Sequence, residues 1–182
     1  MRLVLFDCDG TLVDTIAIIQ ESMARTFTRF GYPVPAIEKT RATVGLTLDV
    51  SISLLLGREG PDEECREMMA YYRSLFSEVR SDPAMQERLF EGIAPMLEQL
   101  LLQDDILIGA VTGKSRRGLD HMLDLHGYAS KFVVSRTADD CPSKPHPAMV
   151  LECCVETGIE PAETMVIGDS VYDMQMSRSA GA

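Results

Sequence analysis

The sequence runs to 182 residues, 46% of them hydrophobic, with 28 acidic residues against 17 lysines and arginines and a formal charge of -11 at pH 7. That length suits one large domain or a core with a modest insertion, and the acidity argues against nucleic acid or an anionic membrane surface as a partner. Five cysteines without a Cys-x-x-Cys spacing argue against a disulfide framework and fit a reducing compartment. The apolar run behind Met1 is too short for a signal peptide or a membrane span, so the expected location is the cytoplasm.

The first predicted element is a buried strand, Leu3-Val4-Leu5-Phe6, which the acids of Asp7-Cys8-Asp9-Gly10-Thr11 bring to an end. Ligands of parallel α/β sheets bind at the carboxyl ends of the strands, so Asp7 and Asp9 are candidates for chemistry. Taken alone, they are equally well read as turn residues. From Asp14 to about Gly92 helix signals follow one another without a convincing strand, which reads as an inserted helical domain. Ile16, Ile19, Met23, Phe27 and Phe30 form one apolar stripe, ended by Gly31, Pro33 and Pro35. A second helix is expected from Thr47 to Gly57, capped by Thr47. A third starts at Pro61 and carries Met68, Tyr72, Leu75 and Val79, before a break at Asp82-Pro83. Pro95 opens a helix through Leu97, Leu100 and Leu101. Three more strands follow, over Ile106 to Val111, Phe132 to Val134 and Met165 to Ile167. The helices between them run from Ser115 to Leu125, closed by Gly127, and from Pro147 to Gly158. Strands alternating with helices imply an α/β fold with a parallel sheet covered on both faces.

Distant residues change the reading of the first two acids. After the last strand comes Gly168-Asp169-Ser170-Val171-Tyr172-Asp173, again two acids beyond a buried run. If the first and last strands are neighbours, four carboxylates share one crevice, and like charges that close call for a cation. An all-oxygen donor set suits Mg²⁺ over zinc or copper. The segment Thr112-Gly113-Lys114-Ser115 places a hydroxyl and free N–H groups at a helix N-terminus, which is either an anion site or an ordinary N-cap. A nucleotide P-loop fails there, because Ile108 stands where the motif needs glycine. Lys144, held among Pro142, Pro145 and Pro147, is a pre-organised cation able to neutralise a phosphate or a carboxylate. His146 reads as a helix-start residue and Cys8 as core packing.

The ordered set Asp7-x-Asp9-Gly10-Thr11, Thr112, Lys144 and Gly168-Asp169-x-x-x-Asp173 resembles the haloacid dehalogenase-like hydrolase superfamily, and within it phosphoglycolate phosphatase-like members with a small helical cap. The resemblance implies a Rossmann-like sheet of strand order 3-2-1-4, with a core over residues 1–14 and 89–182 and a cap over 15–88. It implies a Mg²⁺-dependent phosphatase acting on a small phosphorylated metabolite. Asp7 is then the nucleophile that takes the phosphoryl group, and Asp9 the acid and base, its pKa raised by neighbouring carboxylates. Thr112 and Gly113 would hold phosphoryl oxygens together with Gly10, Lys144 would offset charge, and Asp7, the Asp9 carbonyl and Asp169 would hold the metal, with Asp173 beside them. The second acid argues against a dehalogenase. A β-phosphoglucomutase ranks second, because Val44-Gly45-Leu46-Thr47-Leu48 lacks the basic residue expected there. A signalling receiver domain would place its acids before the lysine, and here Asp169 follows it. Substrate choice is expected in the cap, around Gly45 with Tyr32 or Arg41. Family members usually continue beyond the equivalent of Ala182 with a further strand, so a truncated form with weak or no activity is the third expectation.

Overall fold

The computed structural model describes residues 1–182. The chain opens with β1 (Arg2–Phe6), β2 (Val13–Asp14) and α1 (Ile16–Arg29), then α2 (Ile37–Arg41), α3 (Leu48–Leu55), α4 (Glu63–Ser74) and α5 (Phe76–Arg80). It returns through β3 (Arg88–Leu89) and α6 (Ile93–Leu101) to β4 (Ile106–Val111), α7 (Arg116–Leu125), β5 (Val134–Arg136), α8 (Ala148–Thr157), β6 (Thr164–Ile167) and α9 (Val171–Ala180). The main sheet has the order β5-β4-β1-β6, all parallel, which is the expected 3-2-1-4 arrangement. β6 stands at one edge, with Met165 61% exposed.

Strand alternation divides the core between the two faces of this sheet. Val4 and Phe6 pack with Ile108, Leu97, Leu119 and Met122 on the α6 and α7 side. Leu3 and Leu5 pack with Val134, Met149, Val150, Cys153 and Met176 on the α8 and α9 side. Each such side chain contributes about 1.5–3 kcal/mol when fully buried, so a central strand buried on both faces anchors the fold. All five cysteines are free and buried, and no helix is long and apolar enough to cross a membrane.

Helices α1 to α5 build cores of their own. Met23 and Phe27 of α1 meet Ile52, Cys65 and Met68, while Ile18 meets Leu75 and Val79. The expected α1 stripe is thus rotated: Ile18 is buried, and Ile19 is only half-buried. α4 begins at Glu63, two residues past Pro61, because the Asp62 carboxylate accepts the Cys65 N–H and caps it there.

Two further details differ from the sequence reading. β5 starts at Val134, and Phe132 instead goes into the core against Phe6 and Tyr128, with ring centroids 6.4 and 6.5 Å apart. Gly109 permits this register, since a Cβ there would lie 2.7 Å from both the side chain and the carbonyl of Val134. The short β2 and β3 pair antiparallel, Val13 with Leu89 and Asp14 with Arg88, and so tie together the two passages between the sheet and the helical unit.

Candidate active site

The site is built on the carboxyl ends of β1, β4 and β6. The Asp7 N–H donates to the Ile167 carbonyl at 2.8 Å, which locks the end of β1 to the end of β6 and brings the two acidic segments together. Lys144 Nζ, fully buried at the side chain, donates to Asp7 Oδ1 at 2.7 Å and to Asp173 Oδ1 at 2.6 Å. Asp173 is committed at both oxygens, because its Oδ2 accepts from the Ser170 hydroxyl at 2.5 Å and the Ser170 N–H at 3.1 Å in the capping box of α9. Asp7 Oδ2, by contrast, is buried and has no partner.

That orphaned oxygen is where the residues meet the requirements of a divalent cation. One carboxylate oxygen from each of Asp7, Asp169 and Asp173 lies within 4.8 Å of the others, and the donors are all hard oxygens. Asp169 is exposed and accepts only the Thr11 hydroxyl, at 3.3 Å. The Asp9 carbonyl accepts no backbone hydrogen bond. Gly10, at φ +86°, makes the approach possible: a Cβ there would sit 2.3 Å from Asp169 Oδ2. The donor set therefore fits Mg²⁺, which Asp7, Asp169 and the Asp9 carbonyl would hold, with Asp173 spent on Lys144. Burial pushes the Asp7 carboxyl up to about 7, with Asp173 and Asp9 adding to the rise and Lys144 opposing it.

Asp9 faces elsewhere. Its Oδ1 accepts from the Thr15 hydroxyl at 2.5 Å and from Lys114 Nζ at 2.8 Å. The carboxylate crowding expected around Asp9 is found around Asp7. The reason is the chain reversal after β1, where the Cys8 carbonyl accepts the N–H groups of Leu12 and Val13 at 2.8 and 3.0 Å, so strand alternation no longer governs where Asp9 points. Lys114 is buried. Burial lowers its pKa, but Asp9 and Glu87 outweigh this and hold it above the ordinary value. Lys114 Nζ donates to Glu87 Oε1 at 2.9 Å, which also takes Arg80 Nη2 at 2.7 Å. Burial pushes the Glu87 carboxyl up, but Lys114 and Arg80 more than offset it and hold it below the usual carboxylate range.

Thr112 is fully buried at the end of β4, and its Oγ1 accepts the Lys114 N–H at 3.2 Å. The N–H groups of Cys8, Asp9 and Gly113 donate to no acceptor in the protein. Both readings of this segment coexist: Ser115 caps α7 by accepting the Gly118 N–H at 3.2 Å, while Gly113 stays open for an anion. His146 caps its own turn, Nδ1 accepting the Ala148 N–H at 3.2 Å. Burial and Asp7 push the Cys8 thiol far up, so it stays protonated.

A cavity of about 330 Å³ lies between the helical unit and the sheet, with Asp9, Gly113 and Lys114 on the sheet side. Across from them stand Ile19, Met23, Gly45, Leu46, Tyr72 and Phe76. Gly45 lines the cavity as expected. Tyr32 and Arg41 do not, since the Tyr32 hydroxyl is held between Glu64 and Arg58 at 2.9 and 3.0 Å and Arg41 is exposed on α2. Sequence reasoning missed the basic residues of this cavity, Arg73, Arg80, Lys114 and Arg117. Arg80 and Arg117 lie over the Phe76 ring at 3.9 and 4.5 Å, so the aromatic ring orders both. Polar and backbone contacts beside the Phe76–Arg117 stack seat the helical unit on the sheet domain. Thr47 N–H donates to Ser143 Oγ at 2.9 Å, Arg73 pairs with Asp139 at 2.8 Å, and the carbonyls of Gly45 and Leu46 press on Gly113.

The haloacid dehalogenase-like hydrolase family pattern matches residues 4–182, which contain every one of these groups. The chain belongs to this family. Phosphoglycolate phosphatase 1 of Pseudomonas aeruginosa is 30% identical over 185 residues, covering 99% of this chain and 66% of that protein. The N-acetylmuramic acid 6-phosphate phosphatase of the same organism is 30% identical over 188 residues, covering 100% of this chain and 79% of that protein. A haloacid dehalogenase-like hydrolase from Bacteroides fragilis, 27% identical, superposes with a TM-score of 0.85 over 100% of this chain and 84% of its own. Within the family of haloacid dehalogenase-like hydrolases, the chain is a phosphoglycolate phosphatase-like member.

Proposed function

We propose that this haloacid dehalogenase-like enzyme is a Mg²⁺-dependent phosphatase that hydrolyses a phosphomonoester of a small metabolite through an aspartyl-phosphate. The observation that supports this reading best is the separation of the two aspartates. Asp7 stands with Lys144 and the open oxygens of the acidic cluster, and Asp9 stands at the inner end of the cavity that takes the rest of the substrate. Phosphoryl transfer depends mostly on placement and electrostatics, and this division suits one carboxylate acting at phosphorus and the other at the leaving group.

In the first step an Asp7 carboxylate oxygen bonds to phosphorus as the bond to the ester oxygen breaks, and Asp9 gives its proton to the leaving alkoxide. In the second, Asp9 takes a proton from water as the water oxygen bonds to phosphorus and the bond to Asp7 breaks. Thr112 and the N–H groups of Gly113, Cys8 and Asp9 receive the phosphoryl oxygens, whereas the Gly10 N–H is taken by the Val13 carbonyl, and Lys144 offsets charge built up there. Asp7, Asp169 and the Asp9 carbonyl would hold Mg²⁺, which would supply charge neutralisation at the phosphoryl group.

Phosphoglycolate is the first ester to assay, given the 30% identical phosphoglycolate phosphatase. A panel of phosphate esters with and without Mg²⁺, run beside Asp7→Asn, tests the reading. We expect hydrolysis that requires Mg²⁺ and falls at least about 10³-fold in Asp7→Asn. Hydrolysis that survives Asp7→Asn overturns the nucleophile assignment.

A further inference from the structure

Lys114 is a buried cation that the phosphoryl chemistry above does not use, in the Gly113-Lys114-Ser115 segment that failed as a nucleotide loop. Its backbone is pinned from both sides, the N–H to Thr112 Oγ1 at 3.2 Å and the carbonyl accepting the Ala138 N–H at 3.0 Å. The side chain therefore leaves from a fixed point at the end of β4. Its ammonium spans Asp9 Oδ1 at 2.8 Å and Glu87 Oε1 at 2.9 Å, and Glu87 is itself buried and held by Arg80 of α5. With two cations and two carboxylates, the cluster is neutral and needs no further ion.

We propose that Lys114 and Glu87 are positioning residues for the acid and base Asp9, a role that rests on the phosphatase reading. Asp9 Oδ1 receives two donors, Thr15 and Lys114, whereas Asp9 Oδ2 accepts nothing from the protein. The clamp on Oδ1 fixes the torsion of the carboxyl and leaves Oδ2 as the oxygen that carries the proton to and from substrate. The second consequence concerns the helical unit. Glu87 directly precedes β3, Thr15 directly follows β2, and those strands pair across the two passages into the cap. Arg80 adds a tie from the cap itself. Asp9 is thus aimed only when the passages, the cap helix α5 and the β4 loop are in register, so seating of the cap and placement of the acid are one event.

A buried ion cluster can also serve stability alone, and the two roles separate by leaving group. An alkyl phosphate needs its leaving oxygen protonated, whereas p-nitrophenyl phosphate releases a stable phenolate and needs little help. Single-turnover rates with Mg²⁺ should be measured on phosphoglycolate, or the best alkyl ester of the panel, and on p-nitrophenyl phosphate. The proteins to compare are the wild type, Lys114→Met, Lys114→Arg, Glu87→Gln and Asp9→Asn. General acid catalysis contributes about 10²- to 10⁴-fold, so we expect Lys114→Met to slow the alkyl ester at least about thirtyfold more than the aryl ester, in the same sense as Asp9→Asn. Glu87→Gln should show the same selectivity at about a third of that size on a logarithmic scale, with KM little changed, and Lys114→Arg should recover part of the alkyl rate. If Lys114→Met does not fold, Glu87→Gln and Lys114→Arg decide by the same ratio. Equal losses on both esters, or none, while Asp9→Asn is selective, overturn the positioning role and leave the phosphatase reading standing. A wild type that hydrolyses neither ester refutes the reading and this inference with it.

Discussion

The metal-free protein should lose stability as the pH rises from 5 to 7.5, and Mg²⁺ should abolish that loss. The cause is Asp7, whose carboxyl is fully buried and rises from an ordinary 3.8 to about 7 in the folded state. Between those values the folded chain binds more protons than the unfolded chain, so raising the pH favours unfolding. The stability associated with protonated Asp7 is complete below pH 3.8 and is lost as the pH passes through 7. At about 1.4 kcal/mol per pH unit, the span from pH 5 to 7 costs about 2–3 kcal/mol, against a total stability of about 5–15 kcal/mol for a domain. Glu87, the other buried carboxyl beside the site, is lowered and completes its titration below this window, whereas burial also raises Asp169, so the comparison with Asp7→Asn assigns the effect to Asp7.

Mg²⁺ should reverse the balance, because under the proposed function it would bind the ionised carboxylate at the orphaned Oδ2, and a ligand bound only by the folded state stabilises it. The assay is urea unfolding followed by circular dichroism at half-unit steps of pH, in EDTA and in millimolar Mg²⁺, for the wild type and Asp7→Asn. We expect the midpoint to fall with pH in EDTA, to stay level in Mg²⁺, and to stay level for Asp7→Asn in both. A level wild-type profile in EDTA, or an identical slope in Asp7→Asn, would refute the argument.

Three further outcomes follow from single contacts. In Gly113→Ala the new Cβ would lie 2.5 and 2.7 Å from the Leu46 and Gly45 carbonyls, both backbone, so the cap loop must lift. An overpacking cost of about 1–2 kcal/mol predicts a fall of about fivefold to thirtyfold in kcat/KM, with Tm changed by less than about 3 °C because the sheet core is untouched. An unchanged kcat/KM would show that the loop is not seated there during turnover. Asp173→Asn should lower kcat more than about tenfold with Mg²⁺ affinity little altered, because Asp173 spends both oxygens on Lys144 and Ser170, whereas Asp169→Asn should weaken Mg²⁺ binding at least about thirtyfold by calorimetry. Equal loss of metal binding in both variants would contradict that division. β-Glucose 1-phosphate should give free phosphate and no glucose 6-phosphate, since no basic residue stands in Val44-Gly45-Leu46-Thr47-Leu48; accumulation of glucose 6-phosphate would favour the mutase.

Much of this molecule is legible in its sequence wherever one local rule dictates the outcome. Leu3 to Phe6 could only be a buried strand, and helices between strands force parallel pairing, so Asp7 and Asp169 had to meet at one end of the sheet. Lys144 announced itself through the prolines that hold it. What stayed hidden depends on pairings between distant segments. β2 and β3 are two residues each, and nothing in Val13-Asp14 or Arg88-Leu89 signals that they join across the whole helical insertion. The start of β5 depends on Gly109, a residue of another strand. The surroundings of Asp9 stayed hidden too: four carboxylates were expected in one crevice, but the strand ends at Phe6 and the reversal behind it turns the Asp9 side chain to Lys114.

The same limit explains the charge. A net -11 predicts repulsion of an anionic substrate, and at long range that holds. Within the few ångströms of the site the cations are Lys144 and Lys114 at the strand ends, Arg117 on α7, and Arg73 and Arg80 on the helical unit. The acids there are mostly occupied: Asp173 and Asp7 on Lys144, Glu87 and Asp9 on Lys114, and Asp139 on Arg73. Arg117 is the exception, bonded to the Ser77 hydroxyl at 3.0 Å and to the Phe76 ring, with no carboxylate of its own. Charge beyond a Debye length of about 8 Å is screened at physiological salt, whereas the buried pairs are not, so the field at phosphorus is set by these neighbours and not by the total. The pairing that makes the site electrically tolerable to an anion is therefore a property of the fold, visible only once residues far apart in sequence are brought together.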